Sequence, residues 1–230
     1  FKIDKNIVSV IEEKIAFDQP CHIQYTSGTT GKPKGALLTN YNLINNGYFV
    51  GLNQNFSIND KICLPVPFFH CFGSVLGAFA ALSHGSCIVL PSESFDPKIC
   101  MEVVQKYECT ALYGVPMMFI SILSLPNLLN YNFKSLRTGA IGASPCPKEV
   151  MKKIINILNI KEITIVYGMT ETSPISFQTN IGDDVDLQVS TVGNINPHIE
   201  AKVIDSNKNF ILDRGKPGEL CIKGYSVMKE

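Results

Sequence analysis

Ten residues near the start of the chain, Thr26-Ser27-Gly28-Thr29-Thr30-Gly31-Lys32-Pro33-Lys34-Gly35, combine three glycines, four hydroxyl side chains and two lysines. Glycines let the backbone turn several N–H groups toward one point. The hydroxyls add donors and the lysines add positive charge, so the stretch suits a polyphosphate. Its spacing is not that of the common mononucleotide loop, Gly-x-x-x-x-Gly-Lys-[Ser/Thr]. A strand-like run, residues 22–26, enters it and a second, 36–39, leaves it. The expected form is therefore a strand–loop–strand clamp that folds over a triphosphate, rather than a cradle at a helix N-terminus. The same composition also fits a flexible surface turn whose lysines serve solubility.

A second group is Tyr167-Gly168-Met169-Thr170-Glu171, directly after the apolar run 163–166. At the carboxyl end of a strand in an open α/β sheet, such residues face a ligand crevice. Tyr167 can stack on a purine. Thr170 can hydrogen-bond a phosphate or carboxylate oxygen. Glu171 can hold Mg²⁺, which binds through one or two carboxylates plus phosphate oxygens. A capped helix start, with Thr170 as N-cap and Glu171 on the helix dipole, would use the same residues. Gly142-Ala143-Ser144-Pro145 ends another strand-like run; its small residues let a flat ring approach the backbone, and it also reads as a plain turn. It is no nucleophile elbow, since Gly-x-Ser-x-Gly is absent from the sequence. His70, in Pro67-Phe68-Phe69-His70, precedes an apolar helix and is either a capped ring or the border of a substrate pocket. His22, His84 and His198 have no companions and receive no role.

Strand and helix patterns that must position these groups alternate from residue 61 to 166. That alternation predicts an α/β fold of layered, mostly parallel sheet with flanking helices. Helices are expected over 7–17, with Ile7, Val8, Ile11 and Ile15 on one face, and from Asn40 as cap, with Tyr41, Ile44, Tyr48 and Leu52 in an apolar stripe. Asp96-Pro97 starts a helix that buries Cys100, Val103, Val104 and Tyr107, and Pro147 opens another. Residues 177–190 read as a polar loop. Alternation over 199–203 and 219–223 predicts a small antiparallel β unit after the α/β part.

The bulk numbers limit the alternatives. With 230 residues the chain can bury a sizeable core. Its 20 basic and 20 acidic residues cancel, which favours neither nucleic acid nor a charged membrane surface. The eight cysteines, at 21, 63, 71, 87, 100, 109, 146 and 221, contain no Cys-x-x-Cys pair, which argues against zinc and for free thiols in a reducing, intracellular compartment. The longest apolar run, 71–82, is too short for a transmembrane segment.

Every position from Thr26 to Lys34 fits the phosphate-binding loop of the adenylate-forming enzymes, a family of acyl-CoA synthetases, luciferases and peptide-synthetase adenylation domains. Tyr167-Gly168-Met169-Thr170-Glu171 resembles that family's second hallmark, and Gly142-Ala143-Ser144 its adenine floor. Leu112-Tyr113-Gly114-Val115-Pro116, Thr172-Ser173-Pro174 and residues 217–224 resemble a medium-chain acyl-CoA synthetase branch. The resemblance implies activation of a small-molecule carboxylic acid with ATP and Mg²⁺, then transfer to coenzyme A. It assigns Thr26, Ser27, Gly28, Thr29, Thr30, Gly31, Lys32 and Lys34 to phosphates, and Gly142, Ala143, Ser144, Tyr167, Gly168 and Met169 to the nucleotide. It makes Lys34, Thr170 and Glu171 catalytic, with Glu171 on the metal, and puts Phe69, His70 and Tyr113 at the acid pocket. Residues 1–180 are then expected to be a partial adenylation core and 181–230 the start of a β subdomain. The family's ribose Asp, hinge and lid lysine are expected beyond Glu230, so the chain reads as a piece of a longer protein, inactive or nearly so alone. An amino-acid-adenylating module and a non-catalytic nucleotide-binding relative are the alternatives. The resemblance implies a mitochondrial location, with the cytoplasm as alternative. Thr191-Val192-Gly193 and residues 218–224 are weaker echoes, read as structural.

Overall fold

A computed structural model describes residues 5–26, 31–208 and 210–230. The chain begins with α1 (Lys5–Glu12), then a hairpin of β1 (Pro20–Thr26) and β2 (Lys34–Thr39), then α2 (Asn40–Asn53) and β3 (Lys61–Cys63). A π-helical segment, Phe72–Phe79, runs on into α3 (Ala80–His84). There follow β4 (Cys87–Val89), α4 (Pro97–Tyr107), β5 (Ala111–Gly114), α5 (Pro116–Leu123), β6 (Thr138–Gly142), α6 (Lys148–Asn156) and β7 (Glu162–Gly168). The last elements are β8 (Ile175–Gln178), α7 (Val185–Ser190), β9 (Asn194–Ile195) and the pair β10 (Ile199–Ile204) and β11 (Glu219–Gly224).

Seven strands form one sheet in the order β4-β3-β5-β6-β7-β8-β9. Pairing is parallel from β4 through β7 and antiparallel for β8 and β9. The period-two alternation of the strands divides the core. Ile62, Tyr113, Ala140 and Val166 join Leu43, Val50, Phe72 and Leu76 of α2 and the π-helical segment on one face. Cys63, Leu112, Ile141 and Ile163 join Met101, Val104, Phe119 and Ile154 of α4, α5 and α6 on the other. The expected layered α/β fold is thus the observed one, and β10–β11 is a separate antiparallel pair.

An ionic cluster closes the amino ends of the parallel strands, on the side away from the ligand crevice. Arg137 bonds Asp60 through Nε and Nη2, at 3.1 and 3.0 Å, and Glu162 through Nη1. Thr110 donates to Asp60 Oδ1 at 2.7 Å, and Ser57 N–H to Oδ2 at 2.9 Å. Burial pushes the Asp60 carboxyl up, but these donors and the Arg137 charge outweigh it and hold the group below its ordinary range.

Several local expectations change. Helix α1 ends at Glu12, and Ile7 and Ile11 stay 60% and 55% exposed. The cap of α2 is Thr39, not Asn40: its hydroxyl accepts from Asn42 N–H, and Asn42 Oδ1 accepts in return. The stripe Tyr41, Ile44, Tyr48 and Leu52 faces outward, while Asn42, Asn46, Gly47 and Gly51 are buried. The inward face is small because a Cβ on Gly47 would lie 2.8 Å from the Phe79 backbone carbon. On α4, Met101 is buried in place of Tyr107. Within the stretch read as loop, α7 forms, capped by Asp184. Among the described residues no helix is long and apolar enough to cross a membrane.

Candidate active site

The carboxyl ends of β6 and β7 carry two of the sequence motifs to one side of the sheet. Gly142 closes β6 and sits there because of its neighbour: a Cβ would meet Val166 O of β7 at 2.9 Å. Ala143 then turns with φ of +70°, which throws the chain off the sheet. At the end of β7, Gly168 has no room for any side chain, since a Cβ would be 1.8 Å from Pro174 O. The β7–β8 connection folds back tightly there, with Met169 N–H donating to Pro174 O at 2.9 Å. Thr170–Thr172 is a single 3₁₀ turn rather than a helix start. Thr172, not Thr170, holds it: its hydroxyl lies 3.0 and 2.8 Å from the Met169 and Pro174 carbonyls and accepts from Met169 N–H at 3.2 Å. Thr170 and Glu171 are thereby left half-buried, and both line the crevice.

A cavity of about 330 Å³ opens at these strand ends. Thr26, His70, Ala143, Gly168, Met169, Thr170 and Glu171 line it, over an apolar floor of Phe72, Leu76, Val166 and Ile175. Thr26 is the last residue of β1 and pairs across the hairpin with Lys34. The hairpin therefore brings the lysine strand to the same cavity that Glu171 lines. Lys32 and Lys34 are exposed, and Gly31 has φ of +81°. Ser27, Gly28, Thr29 and Thr30 lie outside the described residues.

A second cavity, about 420 Å³, adjoins the first and shares Ala143, Val166 and Gly168 with it. Ser144 and Tyr167 are on its walls. The Tyr167 ring is held edge-on against Phe177, with centroids 6.1 Å apart. Thr191 and Val192 also line this space, so the segment taken as structural contributes to the site. It is structural too: a Cβ on Gly193 would meet Gln178 at 2.2 Å. Only its position beside Tyr167 in the fold reveals the first part, because nothing in the spacing connects residues 167 and 191.

The residues expected around the acid separate. His70 lines the first cavity, and its Nδ1 accepts from Phe72 N–H at 3.0 Å. Partial burial holds its imidazole below the usual range, and with Nδ1 occupied as an acceptor the neutral ring carries its proton on Nε2. Phe69 is 81% exposed and is fixed by its carbonyl, which accepts from Gln24 Nε2 at 2.7 Å. Tyr113 is fully buried; its hydroxyl donates to Gln54 Oε1, and its ring packs on Phe56 and Phe72. Tyr113 therefore belongs to the core beneath the cavity, not to its wall. Cys71 is the wall residue that the spacing did not single out. Its Sγ lies 3.8 Å from Thr170 Oγ1 and 3.7 Å from His70 Nδ1, and burial pushes its thiol up.

Glu171 is the group suited to a hard cation. Among the described residues its carboxylate has no ion pair or side-chain hydrogen bond, although it is half-buried. No group of three His, Cys, Asp or Glu side chains among the described residues converges to hold a metal. One carboxylate with room beside it fits Mg²⁺, which takes its remaining ligands from phosphate and water.

An open α/β sheet with small-ligand cavities at the carboxyl ends of its strands belongs to the broad class of nucleotide-binding α/β folds. Within it, the chain belongs to the AMP-binding enzyme family, whose family model matches residues 4–230. It is 45% identical over 222 residues to a zebrafish (Danio rerio) protein named medium-chain acyl-CoA ligase ACSF2, mitochondrial, covering 96% of this chain and 37% of that protein. It is 46% identical over 209 residues to the acyl-CoA ligase sidI of Aspergillus fumigatus, covering 91% of this chain and 35% of that one. Among solved structures, ATP-bound MatB from Rhodopseudomonas palustris superimposes with a TM-score of 0.80 at 28% identity, over 94% of this chain and 41% of MatB. The chain thus spans little more than a third of the length of the curated relatives it matches.

Proposed function

We propose that this chain is the nucleotide- and acid-binding part of an AMP-forming acyl-CoA synthetase. The carrying observation is that Thr26, paired with Lys34, lines one cavity with His70, Thr170 and Glu171, while Tyr167 and Ser144 line the space next to it. The proposed reaction has two halves. A carboxylate oxygen attacks the α-phosphorus of ATP, giving acyl-AMP and pyrophosphate; the coenzyme A thiol then displaces AMP and leaves the thioester. No general base is needed in the first half, because a carboxylic acid is already ionised near neutral pH. The difficulty is charge, since two anions must meet and more charge moves onto the departing pyrophosphate.

The residues divide that task. The clamp Thr26-Ser27-Gly28-Thr29-Thr30-Gly31-Lys32, with Lys34, holds the β- and γ-phosphates. Thr170 donates to the α-phosphate or to the attacking carboxylate. Tyr167 stacks on adenine over the Gly142-Ala143-Ser144 floor, Gly168 borders both spaces, and Met169 lines the first. Mg²⁺, held by Glu171, supplies positive charge to the phosphate oxygens when bound. His70, neutral and partly desolvated, borders the acid at the apolar end. A cavity of about 330 Å³ is at the small end of the usual range for ligand sites, roughly 300–1,000 Å³. Its apolar floor suits an acyl chain, the name of the zebrafish relative supports a medium-chain acid, and the mitochondrion is the location that goes with it. In domain terms, residues 1–180 carry most of this site, and 181–230 begin the β subdomain beside it while adding Thr191 and Val192 to the second cavity.

Acid-dependent ATP–pyrophosphate exchange by the protein in its full natural length tests this reading, across fatty acids of rising chain length and the common amino acids. Exchange peaking with short to medium fatty acids is expected. Exchange with amino acids alone would replace the acid class, and no exchange with any acid would make the protein a non-catalytic nucleotide binder.

A further inference from the structure

Residues 225–230 join the two halves of the site. Leu37 of β2 donates its N–H to Glu230 O and accepts from Lys229 N–H, both at 2.8 Å. One residue earlier, Met228 N–H donates to Glu171 O, also at 2.8 Å. The segment therefore bonds to the strand that begins at Lys34 and to the backbone of Glu171. Ser173, fully buried, adds a bond from its hydroxyl to Ser226 O at 2.6 Å.

Helix α2 holds this strap from beneath with two asparagines. Asn42 Nδ2 donates to the Tyr225 and Val227 carbonyls, while its Oδ1 closes the Thr39 cap at the end of β2. Asn46 is 0% exposed and clasps Ile175 from both sides: Nδ2 donates to Ile175 O at 2.8 Å, and Oδ1 accepts from Ile175 N–H at 3.1 Å. Asn46 Nδ2 also lies 3.4 Å from the Tyr225 hydroxyl. Burial pushes that phenol up to about 12, so it stays protonated. Two polar side chains on the buried face of one helix thus fix β2, the strap and the turn that carries Thr170 and Glu171. A buried asparagine with every group engaged is costly to replace, because its partners are left unpaired.

We propose that Asn42 and Asn46 are positioning residues for the nucleotide and its metal: through the strap 225–230 and through Ile175 they hold Glu171 at one fixed separation from the Lys34 strand. The inference rests on the ATP-dependent reading of the site. It gives the asparagines no contact with substrate; they act through the backbone of Glu171 and β2.

Magnesium-dependence of ATP–pyrophosphate exchange, in the protein of full natural length, separates positioning from plain stability. Asn46→Ala should raise the Mg²⁺ concentration for half-maximal exchange about ten-fold, the low end of what removal of outer-shell support for a metal ligand costs. Ser173→Ala removes one strap bond with less disturbance; it should move the same quantity in the same direction and stands in if Asn46→Ala does not fold. Thr110→Val is the stability control: it deletes the hydroxyl on Asp60 at the far end of the sheet, and should lower Tm while leaving Mg²⁺ dependence unchanged. Variants at 46 and 173 that lose Tm but keep the wild-type Mg²⁺ dependence would overturn the inference and leave the function intact. A wild-type protein that exchanges with no acid would remove the function, and this inference with it.

Discussion

Glu171→Ala separates binding chemistry from folding, because the two effects should differ widely in size. In the folded chain the Glu171 carboxylate makes no hydrogen bond or ion pair with the described residues. What the fold uses is the Glu171 carbonyl, which accepts from Met228 N–H and is retained by alanine. Truncation therefore deletes no ion pair or side-chain hydrogen bond with the described residues, and for a half-buried side chain the change in stability should stay within about 1 kcal/mol. The cost to the reaction is of another order. A carboxylate that holds the cation against the phosphates acts on charge that develops in the transition state. Losing one such electrostatic group costs about 3–4 kcal/mol, or roughly 10²–10³ in rate. Urea unfolding and acid-dependent ATP–pyrophosphate exchange, run on the same preparation, read the two numbers. Exchange within a few-fold of wild type would take Glu171 out of the mechanism. A loss of several kcal/mol in stability would mean that the carboxylate serves the fold instead.

Three further outcomes follow from the surrounding structure. Tyr113→Phe removes the donor to Gln54 Oε1 from a buried pair and should cost about 1–2 kcal/mol in urea unfolding, with the preferred acid chain length unchanged; a shifted chain-length profile would return Tyr113 to the cavity wall. The Asp60 carboxyl is held below its unfolded value, so near and below that value the folded chain binds fewer protons than the unfolded one. Its contribution is full above roughly pH 4 and is lost as pH falls through the folded value. Asp60→Asn should accordingly flatten the acid limb of stability against pH, and an unchanged limb would discount the cluster. Gly168→Ala places a methyl 1.8 Å from Pro174 O, a backbone atom, and should cost at least about 4 kcal/mol or prevent folding, with soluble yield and Tm as readouts.

The parts of this architecture that could be read along the chain are those written in local chemistry. Period-two and period-3.6 patterns over 61–166 located the sheet and its helices because each strand is flanked by a helix of ordinary length. The glycine–hydroxyl–lysine stretch and Tyr167–Glu171 stood out as candidate ligand residues because their types have few other uses together, and Thr26, Thr170 and Glu171 line one cavity. The errors share one cause, which is that burial is a property of the assembled layers. The apolar stripe of α2 looked like its core face, yet the helix turns Asn42, Asn46, Gly47 and Gly51 inward, because backbone groups of the strap and of β8 need partners there and the π-helical segment needs room. Tyr113 follows a strand into the core for the same reason: β5 is central, and residues on both of its faces are covered.

The misread face of α2 also bears on how such a site is built. The proposed phosphate clamp and metal carboxylate, some 140 positions apart in the chain, have no local way to find each other, since the hairpin β1–β2 lies outside the seven-stranded sheet. Apolar packing sets the distance between two elements only loosely, because side chains can slide and repack. Hydrogen bonds from buried amides fix it, because each has one partner and one direction, and a shift leaves polar groups unpaired in a low-dielectric interior. Polar residues on a buried helix face are in this view the expected signature of a site assembled from a sheet and a separate hairpin, and α2 carries them where it bonds both the strap that pairs with β2 and the start of β8.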